Sequence, residues 1–285
     1  MTTKTVIGQG IVQIKARRKG PVMGIVCNVH GNELCGRNGV HRVLSKYEIE
    51  RGSLILIDGN QEAALLNKRY VESDMNRMFT KDQLKTKNAQ NDLRRAQYLA
   101  KVIPTLGLDY AIDFHSTSSE TKYPFTVSFP GSEELTELCP AARIYGWTGI
   151  VPGTLVDYMN LKGIPTVVVE AGQHVAESSI KVAEKTVLSV LSHYKMIKPE
   201  KPVTFRKQPT FEVQEQVMVG HADSFKFTRQ YSSFDKVAPR ERIARDKKRE
   251  YLVPQERGLY LLMPALQKNV TDKTSPGAYY LMKKK

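Results

Sequence analysis

Several histidine and glutamate residues of this sequence stand directly after short apolar runs. His30 follows the run GIVCNV, and Glu33 comes three residues later with a glycine between them. His115 closes the run YAIDFH, and Glu170 closes PTVVVE. Two histidines and one glutamate can bind a zinc ion and leave a fourth position open for catalysis. These residue types therefore predict a metal site with a further carboxylate beside it.

The apolar runs that precede these groups have the composition of buried strands. They are VMGIVCNV at 22–29, SLILID at 53–58, YAIDF at 110–114 and PTVVVE at 165–170. Runs that are apolar on both faces are typical of a largely parallel sheet covered by helices. The predicted class is α/β, with a largely parallel or mixed central sheet flanked by helices. Parallel strands end at one edge of a sheet, where such sheets bind ligands, so the reactive groups are expected to converge there.

Two segments between and after these runs have helical periodicity. The segment 91–104 places its apolar residues on one face and ends at a proline, and 178–194 has a similar stripe. Beyond the second segment, prolines and lysines interrupt the pattern, and short alternating segments follow. The sequence thus predicts a catalytic domain over 1–197 and a small β-rich domain over 198–285 that contributes to the mouth of the active site.

Each candidate group also has an ordinary structural interpretation. Taken alone, His115 could be a hydrogen-bonded histidine near a core. Taken alone, Glu170 could be a charge that is stabilised at the start of a helix. His174, four residues after Glu170, is an alternative third ligand. Ala171 and Gly172 disfavour a helix that would bring these two together. The shared position of the candidates after apolar runs favours a metal site that includes His115.

The polar segment RYVESDMNRMF at 69–79 has little hydrophobic periodicity and therefore predicts a loop. Arginine presents a planar fork that matches a carboxylate, so Arg77 with Asn76 would bind a substrate carboxylate. Arg69 would stabilise an oxyanion that develops during the reaction. The structural alternative is a surface loop of ion pairs.

The composition indicates a globular protein with an excess of positive charge. The 285 residues carry a formal net charge of +14, which favours nucleic acid, an anionic membrane surface or a small carboxylated substrate as a partner. No apolar segment is long enough to span a bilayer, and the N-terminus lacks the apolar core of a signal peptide. Three cysteines without a CxxC spacing suit a reducing compartment. The predicted location is cytoplasmic.

Four ordered motifs, HGNE, RYVESDMNR, DFH and VEAG, resemble those of the succinylglutamate desuccinylase and aspartoacylase family, a branch of the zinc carboxypeptidase-like fold. The resemblance implies one zinc ion per chain, bound by His30, Glu33 and His115. It implies Glu170 as the general acid/base. The activity that it implies is cleavage of the amide bond of an N-acyl amino acid.

The resemblance also extends to residues that would bind the substrate. It implies that Arg69 polarises the scissile carbonyl and that Asn76 with Arg77 holds a substrate carboxylate. Tyr279, in the segment GAYYLMKK, matches a tyrosine that reaches into the site of aspartoacylases. One position departs from the pattern, because Asn160 stands where aspartoacylases carry an arginine that reads the acidic side chain.

Two other functions stay open at this point. A zinc carboxypeptidase or murein-peptide amidase would use the same zinc chemistry on short peptides. A protein of a different class would bind nucleic acid through the basic run APRERIARDKKREY at 238–251, although no RNA-binding or helix-turn-helix motif accompanies it. Under the hydrolase hypothesis, the expected substrate is a small carboxylated amide. Neither a membrane nor nucleic acid is expected as a partner, and the protein could form a homo-oligomer.

Overall fold

The protein is described by a computed structural model that covers residues 2–118, 121–147, 152–265, 267, 270 and 277–285. The chain divides into two compact units. The first takes most of the chain up to Gln208, and the second is built mainly from Pro209–Lys285. The predicted domain boundary after residue 197 stays a prediction, because compact packing does not show that either unit folds alone.

Up to residue 208 the chain alternates strands with helices. The strands are β1 (Thr2–Gly8), β2 (Ile11–Ala16), β3 (Arg18–Cys27), β4 (Arg51–Asp58), β5 (Tyr110–Thr117), β6 (Phe125–Val127), β7 (Ala142–Tyr145) and β8 (Thr166–Gln173). The helices are α1 (Cys35–Leu44), α2 (Gln61–Leu65), α3 (Lys81–Leu84), α4 (Asn91–Val102), α5 (Glu133–Glu137), α6 (Leu155–Leu161) and α7 (Glu177–His193). Short 3-10 turns are formed by Met75–Arg77 and Ile103–Thr105. The four expected strands are β3, β4, β5 and β8, and the two expected helices are α4 and α7.

These eight strands lie side by side in the order β1-β2-β4-β3-β5-β8-β6-β7. The pairs β3–β4, β3–β5 and β5–β8 are parallel. The pairs β1–β2, β2–β4 and β6–β8 are antiparallel. The sheet is therefore mixed with a parallel centre, and the predicted α/β class is confirmed.

Both faces of the parallel strands are buried, each by different helices. On one face Ile25 and Val169 pack with buried residues of α1 and α7. On the other face Val26 and Ile57 pack with buried residues of α4 and α6. Alternate residues of one strand thus enter two cores, which is why these runs are apolar throughout instead of alternating with polar residues.

The second unit consists of short strands. They are β9 (Thr210–Met218), β10 (Lys226–Phe227), β11 (Lys236–Val237), β12 (Arg242–Arg245), β13 (Glu250–Leu252), β14 (Leu259–Leu262) and β15 (Gly277–Lys284). Strands β9, β15, β14 and β11 pair antiparallel in that order, and β10, β12 and β13 form a separate antiparallel sheet. The expectation of a β-rich C-terminal region is confirmed.

The sequence was also expected to contain no membrane-spanning segment and no disulfide framework. Within the described ranges, no helix has both the length and the apolar character that a membrane span requires. The three cysteines are unpaired and buried.

One buried carboxylate anchors the loop that carries the arginines. Asp92, at the start of α4, is 2% exposed. Its oxygens accept four hydrogen bonds of 2.6–3.1 Å, from the side chain of Asn60 and from the backbone N–H groups of Val71, Glu72 and Ser73. Because a buried carboxylate can accept several bonds at once, a single side chain fixes this stretch of loop to α4.

We expect Asp92→Asn to lower the free energy of unfolding by about 3 kcal/mol, because the new amide N–H₂ would face two backbone N–H donors that now bind Oδ2. Urea denaturation measures this change. Asp82→Asn, at an exposed position of α3, is the matched control and should stay within about 0.5 kcal/mol of the wild type. Equal stability of the two variants would contradict the anchoring role of Asp92.

Candidate metal and catalytic site

The three residues expected to bind a metal converge at the carboxyl ends of the parallel strands. His30 follows β3, Glu33 precedes α1, and His115 lies near the end of β5. His30 Nδ1 lies 2.9 Å from Glu33 Oε1, and His115 Nδ1 lies 3.0 Å from Glu33 Oε2. The two Nδ1 atoms are 3.2 Å apart. All three side chains are buried, so the cluster is a compact set of donor atoms away from solvent.

Each histidine of the cluster has a second carboxylate behind it. His30 Nε2 lies 3.1 Å from Asp74 Oδ1, and His115 Nε2 lies 3.2 Å from Asp113 Oδ2. Asp113 is two residues before His115, on the same face of β5, and it is completely buried. A carboxylate that accepts the Nε2 proton fixes the imidazole tautomer and leaves a lone pair on Nδ1, as in carboxylate–histidine–zinc triads.

The chemistry and spacing of these donors fit a small cation. Lone pairs on two imidazole nitrogens and a carboxylate oxygen repel one another at about 3 Å unless positive charge lies between them. Ligand atoms about 2.0 Å from a tetrahedral zinc ion are themselves about 3.3 Å apart, close to the separations here. The arrangement is therefore suited to Zn²⁺, with His30, Glu33 and His115 as its ligands.

The electrostatics of the cluster favour the same conclusion. Burial opposes protonation of His115, yet Asp113 and Glu33 raise its pKa well above the usual value. Burial also opposes ionisation of Glu33, yet the neighbouring histidines hold its pKa well below the usual range. Surroundings that favour a proton on His115 also favour a bound cation.

Glu170 stands beside the cluster and has an unsatisfied oxygen. Its backbone is in register with His115 across the parallel pair of β5 and β8, so the two side chains lie on the same face. Glu170 is 9% exposed, and its Oε2 has no hydrogen-bond partner among the described residues. Burial, only partly offset by His115, raises the pKa of this carboxyl to about 7. A carboxyl in that range exchanges protons at neutral pH.

Arg69 joins the cluster to the polar loop. Its guanidinium donates to Glu33 Oε1 at 3.3 Å and to Asp74 Oδ2 at 3.1 Å, while the side chain stays 41% exposed. Burial lowers the pKa of Arg69, but the charges of Asp74 and Glu33 outweigh it and raise the pKa above its usual value. Arg69 is therefore a fixed positive charge that is still accessible beside the donor set.

Asn76 and Arg77 occupy very different surroundings although they are adjacent. Asn76 is buried, and its Oδ1 accepts the backbone N–H of Leu155 at 2.8 Å, which fixes its amide with the N–H₂ as the free donor. Arg77 is exposed, and its Nη1 donates to the carbonyl of Asn76 at 2.7 Å. Both residues can donate to a carboxylate, but only Asn76 also supports the fold.

The glycine between His30 and Glu33 is required for space. A Cβ on Gly31 would lie 2.2 Å from the backbone carbon of Ala63 and 2.3 Å from the nitrogen of Ala64. The Gly31 N–H also donates to the carbonyl of Arg69 at 3.1 Å. The turn that carries His30 and Glu33 is therefore packed directly on the backbone of its neighbours.

Comparison with known proteins identifies the family. The protein-family model described as succinylglutamate desuccinylase/aspartoacylase catalytic domain matches residues 19–194 of the sequence. The chain belongs to this family. A probable aspartoacylase from Parasynechococcus marenigrum (strain WH8102) is 32% identical over 132 residues, which are 44% of this chain and 43% of that protein. The match thus spans less than half the length of this relative.

Two solved structures share the fold of this chain. A succinylglutamate desuccinylase from Vibrio cholerae aligns with a TM-score of 0.78 at 18% identity, over 99% of this chain and 87% of that chain. The product-bound ectoine utilization protein of Ruegeria pomeroyi aligns with a TM-score of 0.70 at 18% identity, over 96% of this chain and 88% of that chain. The predicted family is confirmed.

Within this family, Asn160 marks a departure whose structural role is visible. Its Nδ2 donates to the carbonyl of Val156 at 2.9 Å, and its Oδ1 accepts the N–H of Thr166 at 3.2 Å. Asn160 thus joins the end of α6 to the start of β8. Lys162, the nearest base, lies over the ring of Tyr158 at 5.4 Å. Both side chains therefore make their contacts near the start of β8, whereas Glu170 lies towards the other end of that strand.

His174 is not part of the donor set. Its Nδ1 lies 2.8 Å from Ser116 Oγ, and the N–H of Ser116 donates to Glu33 Oε2 at 3.0 Å. His174 therefore contacts the cluster only through Ser116. The cluster of described residues that could hold a metal ion contains His115 and not His174.

The remaining candidates lie in the second unit. Tyr279 is 1% exposed and packs in the core of that unit with Phe227 and other aromatic residues. Its role in substrate binding stays a prediction. In the basic run, Arg242 pairs with Glu250, Lys247 pairs with Asp223, and Arg249 donates to a backbone carbonyl.

Sequence reasoning assigned no role to Asp74 and Asp113, the two carboxylates behind the histidines. Asp113 had a usable signal, because a charged residue inside an otherwise apolar strand needs a partner when it is buried. Asp74 had no comparable signal in the sequence except that it lies in the polar loop. Its contact with His30 joins residues that are 44 positions apart.

We expect the protein to bind one zinc ion per chain, and chelation to lower the free energy of unfolding by about 3 kcal/mol, because a ligand that binds only the folded state stabilises it by mass action. Metal analysis and thermal unfolding with and without chelator measure both effects. His115→Ala should abolish them, whereas His41→Ala, at an exposed position of α1, should keep them. Zinc binding by the His115→Ala variant at wild-type affinity would refute the ligand set.

Proposed function

We propose that this protein is a zinc-dependent hydrolase that cleaves the amide bond of an N-acyl amino acid and releases a carboxylic acid and a free amino acid. The observation that supports it most strongly is the unpartnered, buried Oε2 of Glu170 beside the His–Glu–His cluster. A buried carboxylate without a partner is costly and is found where its chemistry is used.

The proposed metal centre uses the residues of the cluster. His30, Glu33 and His115 would hold the zinc ion, and Asp74 and Asp113 would keep both imidazoles in the correct tautomer. When bound, zinc supplies Lewis-acid polarisation of a carbonyl and lowers the pKa of water.

Glu170 is proposed to move the proton. It would accept a proton from the attacking water and return it to the amide nitrogen as the C–N bond breaks, so that the amine leaves neutral. A pKa of about 7 suits both transfers, because the group then gains and loses a proton with little cost near neutral pH.

The proposed substrate contacts come from the polar loop. Arg69, fixed by Glu33 and Asp74, would stabilise the negative charge that develops on the carbonyl oxygen. The free N–H₂ of Asn76 and the exposed guanidinium of Arg77 would bind the α-carboxylate of the amino acid. The names of the aspartoacylase and desuccinylase relatives agree with a carboxylated amide as substrate.

The hydrogen bonds of Asn160 bear on which amino acid the substrate contains. Because its amide binds the backbone at both ends, it does not stand in for an arginine that would read an acidic side chain. We therefore propose N-acyl amino acids as the class, without a requirement for aspartate.

We expect the purified protein to release amine from at least one substrate in a panel of N-acetyl, N-succinyl and N-formyl amino acids, and Glu170→Gln to lower kcat by about 100- to 10,000-fold, because the amide cannot carry the proton. Amine release and zinc content are measured together. Glu133→Gln, at an exposed position of α5, is the control that should keep full activity.

The proposal fails if Glu170→Gln, with zinc bound, turns over as fast as the wild type. Dipeptides belong in the same panel, because turnover confined to them would identify a peptidase instead of an amino-acid deacylase.

We expect Arg77→Met to raise KM for N-acyl amino acids by about 10- to 100-fold with a smaller change in kcat, because the lost ion pair contributes to binding of the carboxylate before and during the reaction. Arg94→Met, at an exposed position of α4, is the control. Steady-state kinetics on an acyl amide that lacks the carboxylate should show no effect of Arg77→Met. An unchanged KM for the carboxylated substrate would remove Arg77 from the binding site.

A further inference from the structure

A second cavity opens in the first unit at the amino ends of the parallel strands. It has a volume of about 740 Å³. Arg51 at the start of β4, Tyr110 at the start of β5 and Tyr194 and Lys195 just after α7 contribute to its lining. His115 lies five residues further along β5 than Tyr110, about 16 Å at the usual rise of a strand. The cavity is therefore separate from the candidate metal site.

Two cations of this cavity have no partner within the described part of the chain. The Nε of Arg51 is buried against the backbone and cannot itself reach a ligand, while the hydrogen bonds and ion pairs of the described residues include no partner for the rest of its guanidinium. It is packed over Gly20, where a Cβ would come within 2.8 Å of that Nε. Lys195 is exposed, and no described carboxylate pairs with it. An unpaired guanidinium held against the backbone is poised to bind an anion.

The acidic groups near the cavity are already engaged. Asp109, which is part of the lining, accepts the backbone N–H of Val22 at 2.8 Å with its Oδ2. Glu134 accepts from the hydroxyl of Tyr194 at 2.9 Å and contacts His193 Nε2 at 3.0 Å. Neither carboxylate lies within ion-pair distance of Arg51 or Lys195, so both cations stay available.

Part of the otherwise mostly polar lining consists of aromatic and apolar side chains. The rings of Tyr110 and Tyr194 stack on each other at 4.9 Å, with 29° between their planes. Pro21, Leu108 and Pro165 complete this part of the lining. Aromatic rings and proline faces pack well against a planar ligand. The volume lies within the usual range for small-molecule sites, about 300–1,000 Å³.

We propose that this cavity binds an aromatic anion, a small molecule that combines a flat ring with a phosphate or carboxylate group. Arg51 and Lys195 would bind the anionic oxygens, and the tyrosine and proline faces would pack against the ring. The inference is independent of the proposed hydrolase function, because none of these residues belongs to the metal site.

Titration calorimetry with small probes tests the proposal on the full-length protein. Phenyl phosphate and benzoate carry both features, inorganic phosphate carries only the charge, and phenol carries only the ring. We expect phenyl phosphate or benzoate to bind at least about tenfold more tightly than inorganic phosphate or phenol, because only the combined probes use both parts of the cavity. The tighter of the two combined probes tells whether the natural group is a phosphate or a carboxylate.

Variants assign the binding to this cavity. Arg51→Gln should weaken the better probe by about tenfold or more, as expected for loss of a charge-assisted contact. Lys195→Gly should weaken it less, and it fits the backbone, because Lys195 has a positive φ of 55°. Arg94→Gln, at an exposed position of α4, is the matched control and should bind normally. His30→Ala should also bind normally, which excludes the metal site.

Three results would overturn the proposal. The first is the absence of saturable binding of either combined probe below about 10 mM, a range in which even a weak specific site is detected. The second is wild-type binding by both Arg51→Gln and Lys195→Gly. The third is equal affinity for inorganic phosphate and phenyl phosphate, which would leave the aromatic walls without a role.

Discussion

Burying ionised groups in the first unit is costly, and the surroundings of Glu33 show how the fold compensates for it. Glu33 is 1% exposed, and an uncompensated carboxylate at such a depth costs several kcal/mol. Two imidazoles, the guanidinium of Arg69 and the N–H of Ser116 surround it. These partners come from three parts of the chain, the turn after β3, the polar loop and the end of β5, so the charge of Glu33 is tolerated only when strands, turn and loop are all in place.

Parallel pairing decides which of these parts can meet. Because β3, β5 and β8 run in the same direction, His30, His115 and Glu170 reach the same edge, and the register of β5 with β8 sets His115 directly beside Glu170. The same direction gathers the starts of β4, β5 and β8 at the opposite edge, where Arg51 and the two stacked tyrosines lie. The direction of the strands thus separates the candidate metal site from the cavity proposed to bind an anion.

Much of this arrangement could be predicted from the sequence, because the end of a strand can be recognised from a short stretch of residues. The apolar runs that become β3, β5 and β8 end at the reactive residues themselves, so their convergence followed from the direction of the strands. Contacts between distant side chains were not predictable in the same way. Asp74 reaches His30, and Asp92 reaches the backbone of the arginine loop, through packing that no spacing encodes. The requirement for Gly31 was likewise not predictable from spacing, since it comes from the close approach of the backbone of Ala63 and Ala64.

The neighbouring residues Asn76 and Arg77 differ in how freely evolution can change them. Asn76 uses one end of its amide to hold the first N–H of α6, so a substitution there alters the scaffold as well as any bound ligand. Arg77 is exposed, and its side chain donates one hydrogen bond, to the neighbouring carbonyl of Asn76, among the described residues. Under the role proposed for Arg77 in carboxylate binding, a lineage of such proteins could acquire a new substrate preference by replacing Arg77 alone, without first gaining stability elsewhere to tolerate the change.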